Sequence, residues 1–176
     1  MNDKARRERF EALWREHQGI VLKVASIYAH GAEDRRDLAQ EIGIQLWRSL
    51  HRYDERRAKF STWLYRIALN TAISQSRHKR HRTDAFCEPL QPFHLDTIGG
   101  DEADDERIAI LYAAINDLDA FERALMLLYL EGRDHAEMAE VMGISQTNVA
   151  TRINRIKHKL CSRVSAAIQP EHEHGT

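Results

Sequence analysis

The chain has 176 residues, a formal net charge of −1, 43% hydrophobic residues and 30% charged ones. That length suits one domain or two small ones, and two halves of about 80 residues would each be modestly stable. The longest apolar run, residues 108–115, is too short to cross a bilayer, so no membrane insertion is expected.

The charged start (Lys4, Arg6, Arg7, Glu8, Arg9) argues against a secretory leader. The two cysteines, Cys87 and Cys161, lie in no CxxC or CxxxH pattern. They exclude a disulfide framework, predict no structural metal site and fit a reducing, cytoplasmic location. Charge is distributed in blocks: residues 1–82 carry +8, residues 83–119 carry −9 and the remainder is neutral. Opposite blocks predict separate surfaces with separate partners.

A first helix is predicted from Phe10, Leu13, Trp14, His17, Val21, Val24 and Tyr28, which recur at spacings of three and four, with Gly31 as its stop. A second helix places Leu38, Ile42, Leu46 and Leu50 on one side. Asp37, Gln40, Glu41 and Ile44 form its polar, partly acidic side, either simply solvated or a docking surface for a basic partner. A third helix starts near Ser61, with Leu64, Ile67, Ala68 and Thr71 predicted inward. Its stripe of Trp63, Arg66, Asn70, Ser74 and Arg77, continued by Arg80, lies in a cation-rich segment interleaved with Tyr53, Phe60 and Tyr65. Cations attract a nucleic-acid backbone, rings stack bases and an amide can hydrogen-bond an extruded base. From the residues alone, Trp63 fits a core position as well, and the basic end of the helix fits plain solvation.

Between residues 83 and 106 the chain turns acidic and is interrupted by Pro89, Pro92, Gly99 and Gly100, so it reads as a flexible linker. Ile108, Leu111, Tyr112 and Ile115 predict a fourth helix, and residues 121–130 a fifth. Two further elements follow, at 134–142 and 145–163. No stretch alternates with period two, so the predicted fold is all-α. Three helices in about 80 residues can enclose a small core on the N-terminal side of the linker.

The last two elements carry the sharpest local signal. Asp134 can cap a helix, and Glu137 stands where a capping box needs an acid. Ala139 is small where two helices must cross, Gly143 can take a positive φ at the turn, and Ser145 can cap the next helix. Ile144, Val149, Ile153, Ile156 and Leu160 pack inward. This is a helix-turn-helix, whose second helix enters the DNA major groove. Its outward face is Thr147, Ala150, Thr151, Asn154 and His158, flanked by Arg152, Arg155, Lys157, Lys159 and Arg163. No acid occurs between residues 146 and 167. Polar side chains in the middle suit base edges, and cations at the rim suit phosphates.

Two segments, Asp37-Leu-Ala-Gln-Glu-Ile-Gly-Ile-Gln-Leu-Trp47 and Phe60-Ser-Thr-Trp-Leu-Tyr-Arg-Ile-Ala-Leu-Asn-Thr-Ala72, resemble domain two of bacterial RNA polymerase sigma factors, nearest the extracytoplasmic-function class. The helix-turn-helix, with Leu118-Asp-Ala-Phe-Glu-Arg123 before it, resembles domain four. The resemblance implies a domain two over residues 1–82, the linker over 83–106, a domain four over 107–168 and a tail over 169–176. Domain two would bind core RNA polymerase through Asp37, Gln40, Glu41 and Ile44. It would read the −10 element as a melted single strand, with Asn70 lining the pocket for a flipped-out base and Trp63, Arg66, Ser74, Arg77 and Arg80 supporting base or backbone. Domain four would read the −35 element as duplex through Thr147, Thr151, Asn154, Arg155 and Lys157. Many members of this family are held by an anti-sigma factor, and the resemblance extends that partner to this chain.

The chain departs from the family at Ser74-Gln75-Ser76, where an acid is frequent, and at Ala150, where a cation is. The resemblance therefore transfers no promoter sequence. Neither catalysis nor a cofactor is expected. A regulator acting without polymerase would share the helix-turn-helix but has no need of a single-strand reader. An enzyme is disfavoured because the ten histidines form no HExxH pattern and there is no paired-carboxylate site.

Overall fold

The computed structural model describes residues 3–29, 31–82, 114–115 and 117–168, with helix and turn but no strand among them. The chain divides into two compact units, Met1–Cys87 and Glu88–Thr176. The predicted linker, most of the predicted fourth helix and the tail lie outside the described residues.

The N-terminal unit contains α1 (Asp3–Tyr28), α2 (Gly31–Ser49), a 3-10 turn (Leu50–Arg52) and α3 (Phe60–Arg82). α1 ends at Tyr28, before the predicted stop; Gly31, at φ 79°, instead turns the chain into α2. Glu33 and Asp34 in the first turn of α2 complement its helix dipole. The core is closed by Val21, Val24 and Ala25 of α1, Leu38, Ile42 and Leu46 of α2, Leu50 of the turn, and Leu64, Ala68 and Leu69 of α3.

Two residues of α3 expected inward do not lie in the core. Ile67 and Thr71 are only half-buried, whereas Tyr65, Leu69, Ala72 and Ile73 are buried beside Leu64 and Ala68. α3 lies between two partners, so its apolar arc is wider than a single stripe of threes and fours. The Thr71 hydroxyl donates to the Ile67 carbonyl at 2.8 Å, which keeps a half-buried polar group satisfied.

α1 and α2 approach closely at Gly43, where an added Cβ would lie 3.3 Å from the Trp14 ring. Phe10 stacks on Trp14 (5.9 Å) and meets Trp47 edge-on (5.3 Å). Arg6 donates to the Trp47 carbonyl at 2.6 Å, with its guanidinium 4.4 Å from the Trp47 ring centroid. The start of α1 thereby satisfies a carbonyl in the last turn of α2, where helix acceptors lack intrahelical donors.

The C-terminal unit contains α4 (Ala120–Leu130), α5 (His135–Met142) and α6 (Gln146–Ile168). A reciprocal capping box forms at Asp119 and Glu122, opening α4. The Asp134 carboxylate accepts from the Glu137 amide at 2.8 Å, while the Glu137 carboxylate lies 3.6 Å from Arg133. The Ala139 carbonyl accepts from both Gly143 and Ile144, closing α5. Gly143 sits at φ 67°, and Ser145 accepts from the Asn148 amide at 3.2 Å. Ala124, Leu125, Leu128, Met138, Val141, Val149, Ile153, Ile156 and Leu160 are buried; Ile144 is only half so.

Nothing lies within 4 Å of a Cβ added at Gly143. Substitution there therefore costs backbone strain without a clash. Gly143→Val should lower stability by about 1–2 kcal/mol, and Gly143→Asn by less, because asparagine tolerates the left-handed region. Urea melts of the three proteins check the order.

Candidate nucleic-acid and polymerase interface

In the C-terminal unit, the buried residues of α6 recur at spacings of three and four, so the opposite side is solvated. Thr147, Ala150, Thr151, Asn154, Arg155, Lys157 and His158 are all exposed, on a helix with no acid. The Thr151 hydroxyl donates to the Thr147 carbonyl at 2.9 Å, leaving its methyl and lone pairs outward.

The flanking cations differ in what holds them. Arg152 donates to the Asn148 side chain at 2.9 Å, and its guanidinium lies 5.1 Å from the Phe121 ring centroid. Lys159 pairs with Glu122 at 2.9 Å and Arg163 with Asp117 at 2.6 Å. These three are spaced by seven and four, on the flank turned to the start of α4. Lys157, on the other flank, donates to the Tyr129 hydroxyl at 2.7 Å and lies 4.2 Å from that ring's centroid. Of the five cations expected to flank the outward face, three are held toward the start of α4. Spacing along one helix cannot show which cations its neighbour holds.

In the N-terminal unit, α2 and α3 enclose an open groove of about 810 Å³. α2 contributes Asp37, Gln40, Glu41, Ile44, Gln45 and Ser49; α3 contributes Ile67, Asn70, Thr71, Ser74, Gln75 and His78. The four residues expected to meet polymerase thus share a groove with Asn70 and Ser74. Ile44 is 37% exposed, an apolar side chain among polar neighbours. The Gln45 amide donates to the Glu41 carboxylate at 2.7 Å. Gln45, Ser49, Gln75 and His78 were missed in the sequence because the groove needs the α2–α3 crossing to exist.

Trp63, Arg66 and Arg77 lie outside that groove's lining. Arg66 and Arg77 are exposed; the side chain of Arg80 lies outside the described part of α3. Trp63 is half-buried, 5.0 Å from Tyr53 and 5.6 Å from Phe60, so part of its ring serves an aromatic cluster. Phe60 and Tyr65, expected among the interleaved aromatics, are buried and present no face for a base. Tyr53 is half-buried, with Arg9 5.6 Å from its ring centroid. Burial first, then Glu55, pushes its hydroxyl above the usual tyrosine range, against an opposing pull from Arg9. It remains a neutral donor, 3.3 Å from the Ala58 carbonyl. No group of three His, Cys, Asp or Glu able to hold a metal ion occurs among the described residues. No described helix is long and apolar enough to cross a membrane.

Comparison with known proteins matches both units. Residues 13–82 match Sigma-70 region 2, and residues 108–160 match Sigma-70, region 4. The chain is 30% identical over 172 residues to the RNA polymerase sigma-H factor of Pseudomonas aeruginosa, covering 92% of this chain and 86% of that one. It is 28% identical over 171 residues to the ECF RNA polymerase sigma factor SigE of Mycolicibacterium smegmatis, covering 90% of this chain but only 62% of that longer relative. The sigma factor RpoE of Bartonella quintana, solved in complex with the anti-sigma factor NepR, shares the fold at a TM-score of 0.72 and 18% identity, over 90% of this chain and 98% of that one. Two sigma regions in order along one chain, a relative at 30% identity over most of both lengths, and 31% identity over 142 residues to the ECF RNA polymerase sigma factor SigW of Bacillus subtilis, covering 74% of each chain, place this protein in the extracytoplasmic-function class of RNA polymerase sigma factors.

Proposed function

We propose that this chain binds core RNA polymerase, selects a promoter through its −10 and −35 elements and promotes melting, while the polymerase makes the RNA. The observation that supports this most is the α2–α3 groove, which offers one polar, partly acidic wall and one amide-bearing wall. The α2 wall, with Asp37, Gln40, Glu41 and Ile44, suits a basic protein partner. Asp37 and Glu41 would repel a phosphate backbone, so the melted strand would run along the Arg66 and Arg77 side of α3, dipping a base toward Asn70 and Ser74. Trp63, half-exposed at the head of the same stripe, would support it. Domain four, residues 107–168 in this reading, would place Thr147, Thr151 and Asn154 against base edges, with Arg155 and Lys157 on phosphates.

Energetically, opening a duplex step costs on the order of 1–2 kcal/mol of stacking. Capturing an exposed base on a ring recovers roughly 1–3 kcal/mol. Capture thus offsets opening without covalent chemistry, and neither an enzymatic role nor a cofactor is needed. The work takes place where DNA and polymerase are, in the cytoplasm. An anti-sigma factor, the kind of partner seen with the Bartonella relative, belongs to the same reading.

Run-off transcription from a genomic fragment library, with core polymerase and the purified chain, tests the whole. Specific transcripts that appear only with the chain present support it. Failure to form a complex with core polymerase, where a known sigma factor does, rejects it in favour of a regulator that acts alone.

A further inference from the structure

The cations of α6 divide by flank and by what holds them: two are paired with carboxylates, while Arg152 and Lys157 are held by neutral groups on opposite flanks. Lys159 and Arg163 are each paired with a carboxylate, at 2.9 and 2.6 Å. Arg152 shares their flank and is fixed to Asn148 and the Phe121 ring. A phosphate approaching that flank would have to displace an existing anion or turn a fastened guanidinium around. Lys157 is different. It lies on the stripe of Ala150 and Asn154, at spacings of four and three, beside the base-reading face. Its partner, the Tyr129 hydroxyl and ring, is neutral. Tyrosine therefore orders a flexible side chain without cancelling its charge. Ordering a lysine in advance removes part of the rotamer entropy that binding would otherwise cost. Arg155, exposed and four residues on from Thr151, is the second cation that borders this face.

We propose that Tyr129 is a positioning residue for DNA binding, presenting Lys157 to a backbone phosphate, and that Arg155 and Lys157 are the phosphate contacts of α6 while Arg152, Lys159 and Arg163 fasten the helix to its own domain. The assignment rests on the reading of α6 as a duplex-binding helix and names which of its charges do the binding. Tyr129 sits at the far end of α4, outside the helix-turn-helix, so no motif points to it.

The test is salt-dependent binding of the full-length chain to a labelled duplex, followed by fluorescence anisotropy over a potassium chloride series. Each phosphate contact contributes about 0.9 to the slope of log affinity against log salt. Arg155→Ala and Lys157→Ala should each flatten the slope by about that amount. Lys159→Ala and Arg163→Ala should leave the slope unchanged while lowering the melting temperature. Tyr129→Leu should weaken binding several-fold, yet add nothing further when combined with Lys157→Ala. Tyr129→Phe, which keeps the ring and loses the hydroxyl, should fall between wild type and Tyr129→Leu, and helical circular dichroism confirms that both variants fold. Independent, additive losses for Tyr129→Leu and Lys157→Ala would overturn the positioning role. A slope flattened as much by Lys159→Ala as by Lys157→Ala would overturn the division of charges. If wild type and every variant alike fail to bind duplex, it is the duplex-binding reading itself that falls.

Discussion

Leu46→Ala should lower the stability of the N-terminal unit by roughly 2–5 kcal/mol, the range for truncating a buried leucine to alanine in a core that relaxes only in part. Leu46 is fully buried in α2, the helix that packs on both α1 and α3. A body of about 80 residues holds only about 4–12 kcal/mol in total, so the loss is a large share of what keeps it folded. In urea the midpoint should fall with little change in slope, because the unfolding surface stays nearly the same. Two residues earlier, on the groove side of the same helix, the expectation reverses. Ile44 is exposed, so Ile44→Arg should change stability by no more than about 0.5 kcal/mol. It should instead reduce affinity for core polymerase by about tenfold, by setting a cation and a longer side chain on a face suited to a basic partner. If Ile44→Arg bound polymerase like wild type, the outer face of α2 would not be the docking surface. If Leu46→Ala melted like wild type, the three-helix core would be packed otherwise than described.

That contrast is legible in the sequence because α2 separates its two faces cleanly: Leu38, Ile42 and Leu46 are buried, with Leu50 of the turn after them, while Asp37, Gln40 and Ile44 are exposed. The helix-turn-helix was legible for another reason. Its turn rests on local backbone chemistry, a carboxylate at Asp134, a left-handed glycine at Gly143 and a hydroxyl at Ser145, and local chemistry is written in adjacent residues. α3 is less legible. It is apolar over a wide arc, and a single stripe of threes and fours chose Ile67 and Thr71 over Tyr65 and Leu69. Tyr65 looked like a base-stacking ring because aromatic composition does not report burial. The partners of Lys157, Lys159 and Arg163 lie 28 to 46 residues away in the chain, so no spacing rule could assign them. The shared groove was hidden for the same reason: each wall was found, but their meeting depends on how α2 and α3 cross.

Asn70→Ala should weaken promoter opening by roughly 5- to 150-fold, about 1–3 kcal/mol, the cost of leaving the hydrogen-bonding edge of a captured base unpaired. Asn70 is exposed on α3, so the change should leave the fold intact. Alanine alone cannot say whether the amide bonds the base or merely fills space, and Asn70→Asp separates these. Aspartate keeps the shape but replaces two N–H donors with a negative oxygen. If donation to a base matters, Asn70→Asp should be at least as defective as Asn70→Ala, since it also sets a charge near a phosphate backbone. If shape alone matters, Asn70→Asp should approach wild type. The groove adds a second requirement, because Asn70 shares it with Asp37, Gln40, Glu41 and Ile44. A variant that opened promoters poorly only because it bound polymerase poorly would give the same transcript loss. Permanganate reactivity of promoter thymines must therefore be measured at saturating holoenzyme, with polymerase affinity determined separately. Reduced reactivity at unchanged polymerase affinity places Asn70 at the melted strand. Equal reactivity in wild type and both variants removes it from that role and leaves the groove to the polymerase alone.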